Sequence, residues 1–274
     1  MPRRPCDLSS SAVADWAGVV GVFADIDDTL TRHGAIEPVA LDALHALHDA
    51  GVAVIAITGR PLGWSEPFAR PPPEGWPVAA IVPENGALAL IRDGHRLATE
   101  YAQDEATRTR NAARLREVAA RILREVPGAT LARDSAGRVT DIAIDHSEFA
   151  QLDDTAIARV VAVMQAEGMS ATVSSIHVNG WFGDHSKLSG ARWMVRRLYG
   201  RDLDAERERW VYVGDSTNDQ AMFGFFPRSV GVANLRDFAS VLHTWPAFIT
   251  EGERGAGFAE VAARVLAARA RPQR

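Results

Sequence analysis

The sequence predicts an α/β protein with a parallel-sheet core and a smaller α+β insert. Three observations carry this reading. The continuous apolar runs Val19–Ala24, Val52–Ile57, Val78–Val82 and Trp210–Val213 read as strands buried on both faces. One amphipathic helix separates the first two, and a strand–helix–strand unit of this kind predicts a right-handed crossover and parallel pairing. From about Leu88 to Asn179 the order becomes hairpin, helix, two strands, helix and strand, which is α+β rather than alternating.

Residues before about Ala17 read as a polar lead-in, with Ser9-Ser10-Ser11 as a helix cap. The first strand then ends in Asp25-Ile26-Asp27-Asp28, at the strand end where open α/β sheets place their sites. Asp25 and Asp27 share a side if the chain stays extended. Clustered carboxylates repel one another and are costly to desolvate, so they imply a cation, and oxygen-only ligands favour magnesium over zinc. Glu37-Pro38 opens a helix to about Ala50, with Leu41, Leu44 and Leu47 as its apolar stripe and Gly51 as its stop. His45 and His48 on this helix read as ordinary helix histidines rather than a metal pair.

The second strand ends in Thr58-Gly59-Arg60, where a hydroxyl and a free backbone N–H can hold a phosphate oxygen. Arg60 to Pro73 reads as a loop with little regular structure. Trp64 within it is either a substrate contact or a cover for the core. Asn85-Gly86, after the third strand, is first a turn signal.

The insert begins with a hairpin around Asp93-Gly94. A charged helix follows from about Asp104 to Glu125, then strands Thr130–Arg133 and Val139–Ile144 joined by a turn at Ser135-Ala136-Gly137. A helix from about Asp154 to Glu167 precedes one strand from Ala171 to Val178 that ends at Asn179-Gly180. On that strand Ser175, His177 and Asn179 share a polar face, which either reads a substrate or meets solvent. The chain then returns through Lys187 and a helix to Tyr199, an extra polar loop from Arg201 to Arg209, and the strand ending in Gly214-Asp215-Ser216-Thr217-Asn218-Asp219. A strand Ser229–Ala233, a short strand Phe248–Thr250 and a helix Gly257–Ala270 complete it.

Composition narrows the class. The chain has 274 residues, 47% hydrophobic and 24% charged, as in ordinary soluble globular proteins. A net charge of -5 gives no general nucleic-acid surface. Cys6 is the single cysteine, which excludes an intrachain disulfide. No apolar run resembles a signal peptide or a membrane span, so a cytoplasmic location with no membrane partner is expected. The oligomeric state is not legible.

Four separated signals, Asp25-x-Asp27, Thr58, Lys187 and Gly214-Asp215-x-x-Asn218-Asp219, stand in the order of the haloacid dehalogenase-like superfamily of phosphohydrolases, and the chain resembles that family along nearly its whole length. In the cap subclass that the chain resembles, the third motif usually has glycine directly after lysine, whereas here Leu188 and Ser189 precede Gly190. The resemblance implies a Rossmann-like parallel-sheet core from 1–86 and 186–274, with an α+β cap from 87–185 that sets substrate specificity. A cap in that position resembles the type II-B (Cof-type) subclass, with sucrose-phosphate and mannosyl-3-phosphoglycerate phosphatases for comparison.

The implied chemistry is two-step phosphoryl transfer. Asp25 is the nucleophile, Asp27 the acid and base, and Thr58, Gly59 and Lys187 hold the phosphate. Asp25, the Asp27 backbone carbonyl, Asp215 and Asp219 are the expected magnesium environment, and Arg60, Trp64, Asn85, His177, Asn179 and Asn218 are substrate candidates. The expected partner is a small phosphate ester, by analogy a sugar phosphate or a phosphorylated glycoside. A sugar phosphomutase of the same fold and a non-catalytic phosphate-binding module are the alternatives.

Overall fold

The computed structural model of the chain describes residues 4–71, 73–94 and 96–270. Residues 1–3 and Pro72, which entered the readings of the amino terminus and the proline stretch, lie outside the described residues. In chain order the strands are β1 (Cys6–Asp7), β2 (Gly21–Ala24), β3 (Thr31–Arg32), β4 (Ala35–Ile36), β5 (Ala53–Ile57), β6 (Ala80–Val82), β7 (Leu88–Asp93), β8 (Arg96–Tyr101), β9 (Thr130–Leu131), β10 (Asp141–Asp145), β11 (Ser170–Val173), β12 (His177–Trp181), β13 (Trp210–Gly214), β14 (Arg228–Gly231) and β15 (Phe248–Ile249). The helices are α1 (Pro38–Asp49), α2 (Leu62–Ala69), α3 (Glu105–Glu125), α4 (Asp154–Ala166), α5 (Lys187–Tyr199), α6 (Leu203–Glu206), α7 (Gln220–Phe225) and α8 (Arg254–Arg269).

The large sheet runs β1-β15-β14-β13-β2-β5-β6-β7-β8, parallel from β1 to β6. β2 lies near its centre between β13 and β5, so its carboxyl end meets those of both neighbours. Alternation along the strands divides the core in two. Val22, Ala24, Val54, Val211 and Val213 face α1 and α8, whereas Phe23, Ile55, Trp210 and Tyr212 face α5 and α7. α1 begins with Pro38 in its first turn and buries Leu44 and Leu47, with Leu41 packed beside them, while His45 and His48 are exposed.

The second sheet runs β11-β12-β10-β9, antiparallel throughout. Ile142, Ile144 and Val178 face α3 and α4 and build a separate apolar core with Leu115, Ile122, Val160 and Met164. The alternate residues of β10 and β12, including Asp141, Asp145, His177 and Asn179, are buried on the face turned to the large sheet. Asp104 and Asp153 cap α3 and α4, each accepting from a backbone N–H of the first turn.

Several local expectations are corrected. The lead-in is not merely polar: β1 pairs with β15, and Leu8 and Trp16 bury beside it. The hairpin around Asp93-Gly94 belongs to the large sheet, because β7 pairs antiparallel with β6. The stretch after Arg60 contains α2 despite Pro67 inside it. Aromatic packing stabilises this helix: Trp64 and Phe68 have ring centroids 4.8 Å apart, and Phe68 stacks on Trp76 at 4.5 Å. The strand read from Ala171 to Val178 is two strands. Its turn lacks Gly, Pro, Asn and Asp and closes instead through Ser174, whose Oγ accepts from the Ile176 and His177 amides at 3.3 and 3.0 Å. The polar loop from Arg201 to Arg209 includes the short helix α6.

Two features fix the return from the second sheet. Gly86 has φ +100 and lies so close to the Ser186 carbonyl that a Cβ would sit 2.1 Å from its oxygen. His185 stacks on Trp181 with ring centroids 5.4 Å apart, and both of its ring nitrogens are buried with no partner among the described residues. Burial pushes the His185 imidazole down to about 4, against the opposing effect of Asp184. The unfolded chain therefore takes up this proton first, and stability is lost as pH falls from the ordinary histidine value near 6.5 toward 4. His185→Leu should remove roughly 2–3 kcal/mol of the loss between pH 7 and pH 4.5, read by urea unfolding of both proteins at both pH values.

Candidate active site

Asp25 continues the alternation of β2 on the Phe23 side, the face covered by α5. Its backbone N–H donates to the Val213 carbonyl at 2.9 Å, which holds it in the ladder with β13. Lys187 is the first residue of α5, where Ser186 and Ser189 form a reciprocal capping box. The Lys187 Nζ donates to Asp25 Oδ1 at 2.8 Å and to Asp219 Oδ1 at 2.7 Å, with 3% of its side chain exposed. Burial opposes the ammonium, but the two carboxylates outweigh it and hold Lys187 above its usual value.

Asp219 receives more than the lysine. Its Oδ1 also accepts from the Tyr212 hydroxyl, and its Oδ2 accepts from the Asp215 and Ser216 amides at 2.9 and 3.2 Å. This carboxylate is thereby committed to positioning Lys187 and the turn after β13. Asp215 differs. Among the described residues its Oδ1 accepts only a long bond from Thr29, at 3.4 Å, and its Oδ2 is buried without a partner. Asp25, Asp215 and Asp219 each offer an oxygen within 4.8 Å of the others. Burial, then mutual repulsion, pushes Asp215 well above the carboxylate range, and burial raises Asp25 to about 7 against the pull of Lys187. A buried, unpartnered carboxylate oxygen beside another carboxylate fits a hard cation with oxygen ligands. Asp25 and Asp215 are the side chains that would hold it.

Asp27 points elsewhere. The chain turns sharply after Asp25, with the Thr29, Leu30 and Thr31 amides all converging on the Ile26 carbonyl. Both Asp27 carboxylate oxygens accept from Arg60, Nε at 3.0 and 2.9 Å and Nη2 at 2.8 Å. Thr58 Oγ1 accepts from the Arg60 amide at 3.0 Å. Asp25, Asp27, Thr58, Gly59, Arg60, His177, Asn179 and Asn218 border one small chamber of about 10 Å³, room for about one water. Arg60 and Asp27 also wall a larger adjoining cavity of about 400 Å³, completed by Asp28, His33, Gly34, Ser147, Glu148, Phe149, Ser175, Ile176 and Arg254.

The remaining sequence candidates divide. Asn218 Oδ1 accepts from Lys187 at 3.4 Å and from Ser216 at 2.9 Å. Asn179 Nδ2 donates to Asp141 at 3.0 Å and to the Gly59 carbonyl at 3.3 Å, and His177 Nε2 lies 2.9 Å from Glu148. Asn85 sits against Gly59 with its Nδ2 buried and unpartnered. Trp64 borders neither cavity; it packs on Phe68 and under the Arg60 guanidinium, 5.0 Å from its ring centroid.

Sequence reasoning missed the charged groups that join the two sheets. Arg138 donates to the Gly59 carbonyl at 2.9 Å while paired with Asp134 and Asp141. The Glu84 carboxylate accepts from the Leu62, Val139 and Thr140 amides and the Thr140 hydroxyl. Desolvation raises Glu84 to about 7 despite these donors. Charges in a Ser-Ala-Gly turn and beside an Asn-Gly read as solvent-facing, and only the tertiary fold brings them inside.

A central strand delivers a lysine-paired aspartate to the sheet end covered by the inserted α+β domain. A family model described as haloacid dehalogenase-like hydrolase matches residues 22–122. No curated protein matches the chain by sequence. Among solved structures, protein 0175 of Thermoplasma acidophilum is similar with a TM-score of 0.67 at 15% identity, over 91% of this chain and 99% of that one. The sucrose-phosphatase of Synechocystis sp. PCC6803, in complex with sucrose and phosphate, gives 0.64 at 16%, over 90% and 98%. A trehalose-6-phosphate phosphatase related protein gives 0.58 at 13%, over 90% and 97%. The solved structures share the fold, and residues 22–122 match the haloacid dehalogenase-like hydrolases, the family whose motifs the sequence resembles.

Asp219 has four donors to lose. Asp219→Ala should lower stability by about 3–5 kcal/mol in urea unfolding, because it leaves the Tyr212 hydroxyl and the Asp215 and Ser216 amides buried without their acceptor and takes one of the two carboxylates from Lys187. Arg192→Ala, which breaks an exposed pair with Asp204, should stay within about 0.5 kcal/mol of wild type.

Proposed function

We propose that the protein is a magnesium-dependent phosphomonoesterase that works through an aspartyl-phosphate on Asp25. The observation that carries this reading is the pairing of Asp25 with buried Lys187 beside the unpartnered Asp215 oxygen. Asp25 attacks phosphorus from a fixed rotamer, and the leaving alcohol departs toward the cavity beyond Asp27. Lys187 offsets the charge of the nucleophile and of a phosphoryl oxygen. Thr58, whose oxygen already accepts from the Arg60 amide, directs its hydroxyl proton to another, and the Gly59 N–H assists. Asp27 gives a proton to the leaving oxygen and then takes one from water in the second step. Magnesium held by Asp25, the Asp27 carbonyl and Asp215 would screen the anions so that a carboxylate can approach a phosphate.

A sugar phosphate or phosphorylated glycoside is the proposed substrate class. Its support is the fold shared with a sucrose-phosphatase and a trehalose-6-phosphate phosphatase related protein. The 400 Å³ cavity beside Asp27, rimmed by hydroxyl, carboxylate and guanidinium groups, suits a hydroxyl-rich leaving group.

Phosphate release from a panel of sugar phosphates tests the reading. Turnover should require magnesium, stop with chelator, and fall on the order of 10³-fold or more in Asp25→Asn. Activity retained in chelator or in that variant would overturn it.

A further inference from the structure

Resting on that phosphatase reading, we propose that Glu148, a residue of the inserted domain, is a positioning residue for proton transfer at Asp27. It acts through Arg60 and only while the two domains are together. Every hydrogen bond to the Asp27 carboxylate among the described residues comes from Arg60. What fixes Arg60 therefore fixes Asp27. Trp64 supports the guanidinium from the core side, and among the described residues Asp27 is the one core carboxylate paired with it. Its outer edge is held from the insert. Glu148 takes Nη2 at 2.7 Å and Nη1 at 3.3 Å, and Asp134 takes Nη1 at 3.2 Å.

Glu148 is itself built into place. Asp145 at the end of β10 accepts from the Glu148 and Phe149 amides at 2.9 and 3.0 Å, which shapes the loop. On the other side, His177 Nε2 lies 2.9 Å from Glu148 Oε2. His177 and Arg60 hold the Glu148 carboxyl well below its usual range, at about 2, despite burial, so it meets Arg60 as an anion at any working pH. A path of direct contacts thus runs from β10 through Glu148 and Arg60 to Asp27. Separating the domains removes two of the three carboxylates on Arg60 and frees the guanidinium to leave Asp27.

The step affected is defined by its proton. In the first half-reaction the bond from Asp25 to phosphorus forms, the bond from phosphorus to the ester oxygen breaks, and the Asp27 proton passes to that oxygen. In the second, water bonds to phosphorus, the Asp25 oxygen leaves, and the water proton passes to Asp27. An alkyl leaving group needs the first transfer, whereas p-nitrophenolate departs without it.

The test compares Glu148→Gln with wild type on an alkyl sugar phosphate and on p-nitrophenyl phosphate, with magnesium present. The expected result, read as the single-turnover rate of leaving-group release so that the shared second half-reaction does not enter, is a fall of roughly tenfold or more on the alkyl ester and less than about threefold on the aryl ester. Arg60→Lys, which keeps the charge but loses the fork, should show the same split. Equal losses on both esters would overturn the proposal in favour of a structural role. A raised KM with unchanged kcat would overturn it in favour of direct substrate contact. A wild type inactive on both esters would instead overturn the phosphatase reading, and this one with it.

Discussion

The ammonium of Lys187, buried between Asp25 and Asp219, is the interaction on which the rest of the site depends. Three carboxylates at the carboxyl ends of adjacent strands would repel one another in a low-dielectric interior. One cation offsets two of them, and its own desolvation is met by two short charge-assisted bonds. Asp219 can serve only because the Tyr212 hydroxyl and two backbone amides occupy its remaining lone pairs. The arrangement leaves Asp215 with a spare oxygen and Asp25 with one oxygen outside the lysine bond. The attack on phosphorus and the cation binding proposed above need those two oxygens free.

This geometry follows from the sheet. Phe23 and Tyr212 alternate onto the α5 side of β2 and β13, so Asp25 emerges on that side and meets the first residue of the helix. Gly86 lets the loop after β6 press against Ser186, one residue before the lysine. A side chain at 86 would push the start of α5 away. The lysine thus sits at the meeting of a strand end, a left-handed turn and a capped helix start, and each fixes a different coordinate of Nζ.

Local strings disclosed the parts that are local. The strand ends at Asp25, Thr58 and Asp215, the helix bearing Lys187 and the change to an α+β pattern after the third strand are all readable from runs of fewer than ten residues. The seam between the sheets was not readable. Arg60 meets Asp27, Asp134 and Glu148 across separations of 33, 74 and 88 residues, and no short pattern encodes such convergence. α2 was hidden for another reason. Pro61, Gly63 and Pro67 each signal a break, and only the packing of Trp64, Phe68 and Trp76 reveals why a helix forms. The Ser174 turn was hidden because a hydroxyl does what glycine or asparagine usually does.

The chemistry of the seam also bears on how the domains can part. Among the described residues the apolar side chains form three clusters, two flanking the large sheet and one between the second sheet and its helices; none crosses the seam. What crosses it is polar: Arg60 to Glu148 and Asp134, Arg138 to the Gly59 carbonyl, Glu84 to the Val139 and Thr140 amides, and Thr217 to the Val173 carbonyl. Opening such a seam returns charges to water and exposes little hydrocarbon, so the lost Coulomb energy is largely offset by regained solvation. An apolar seam would carry the full hydrophobic penalty on each opening. A chamber that holds about one water when closed has to open for any phosphate ester to enter. A polar, multiply bonded seam meets both demands. It fixes Arg60 and Asp27 sharply in this arrangement, and its polar character would let it separate at modest cost to admit the proposed substrate.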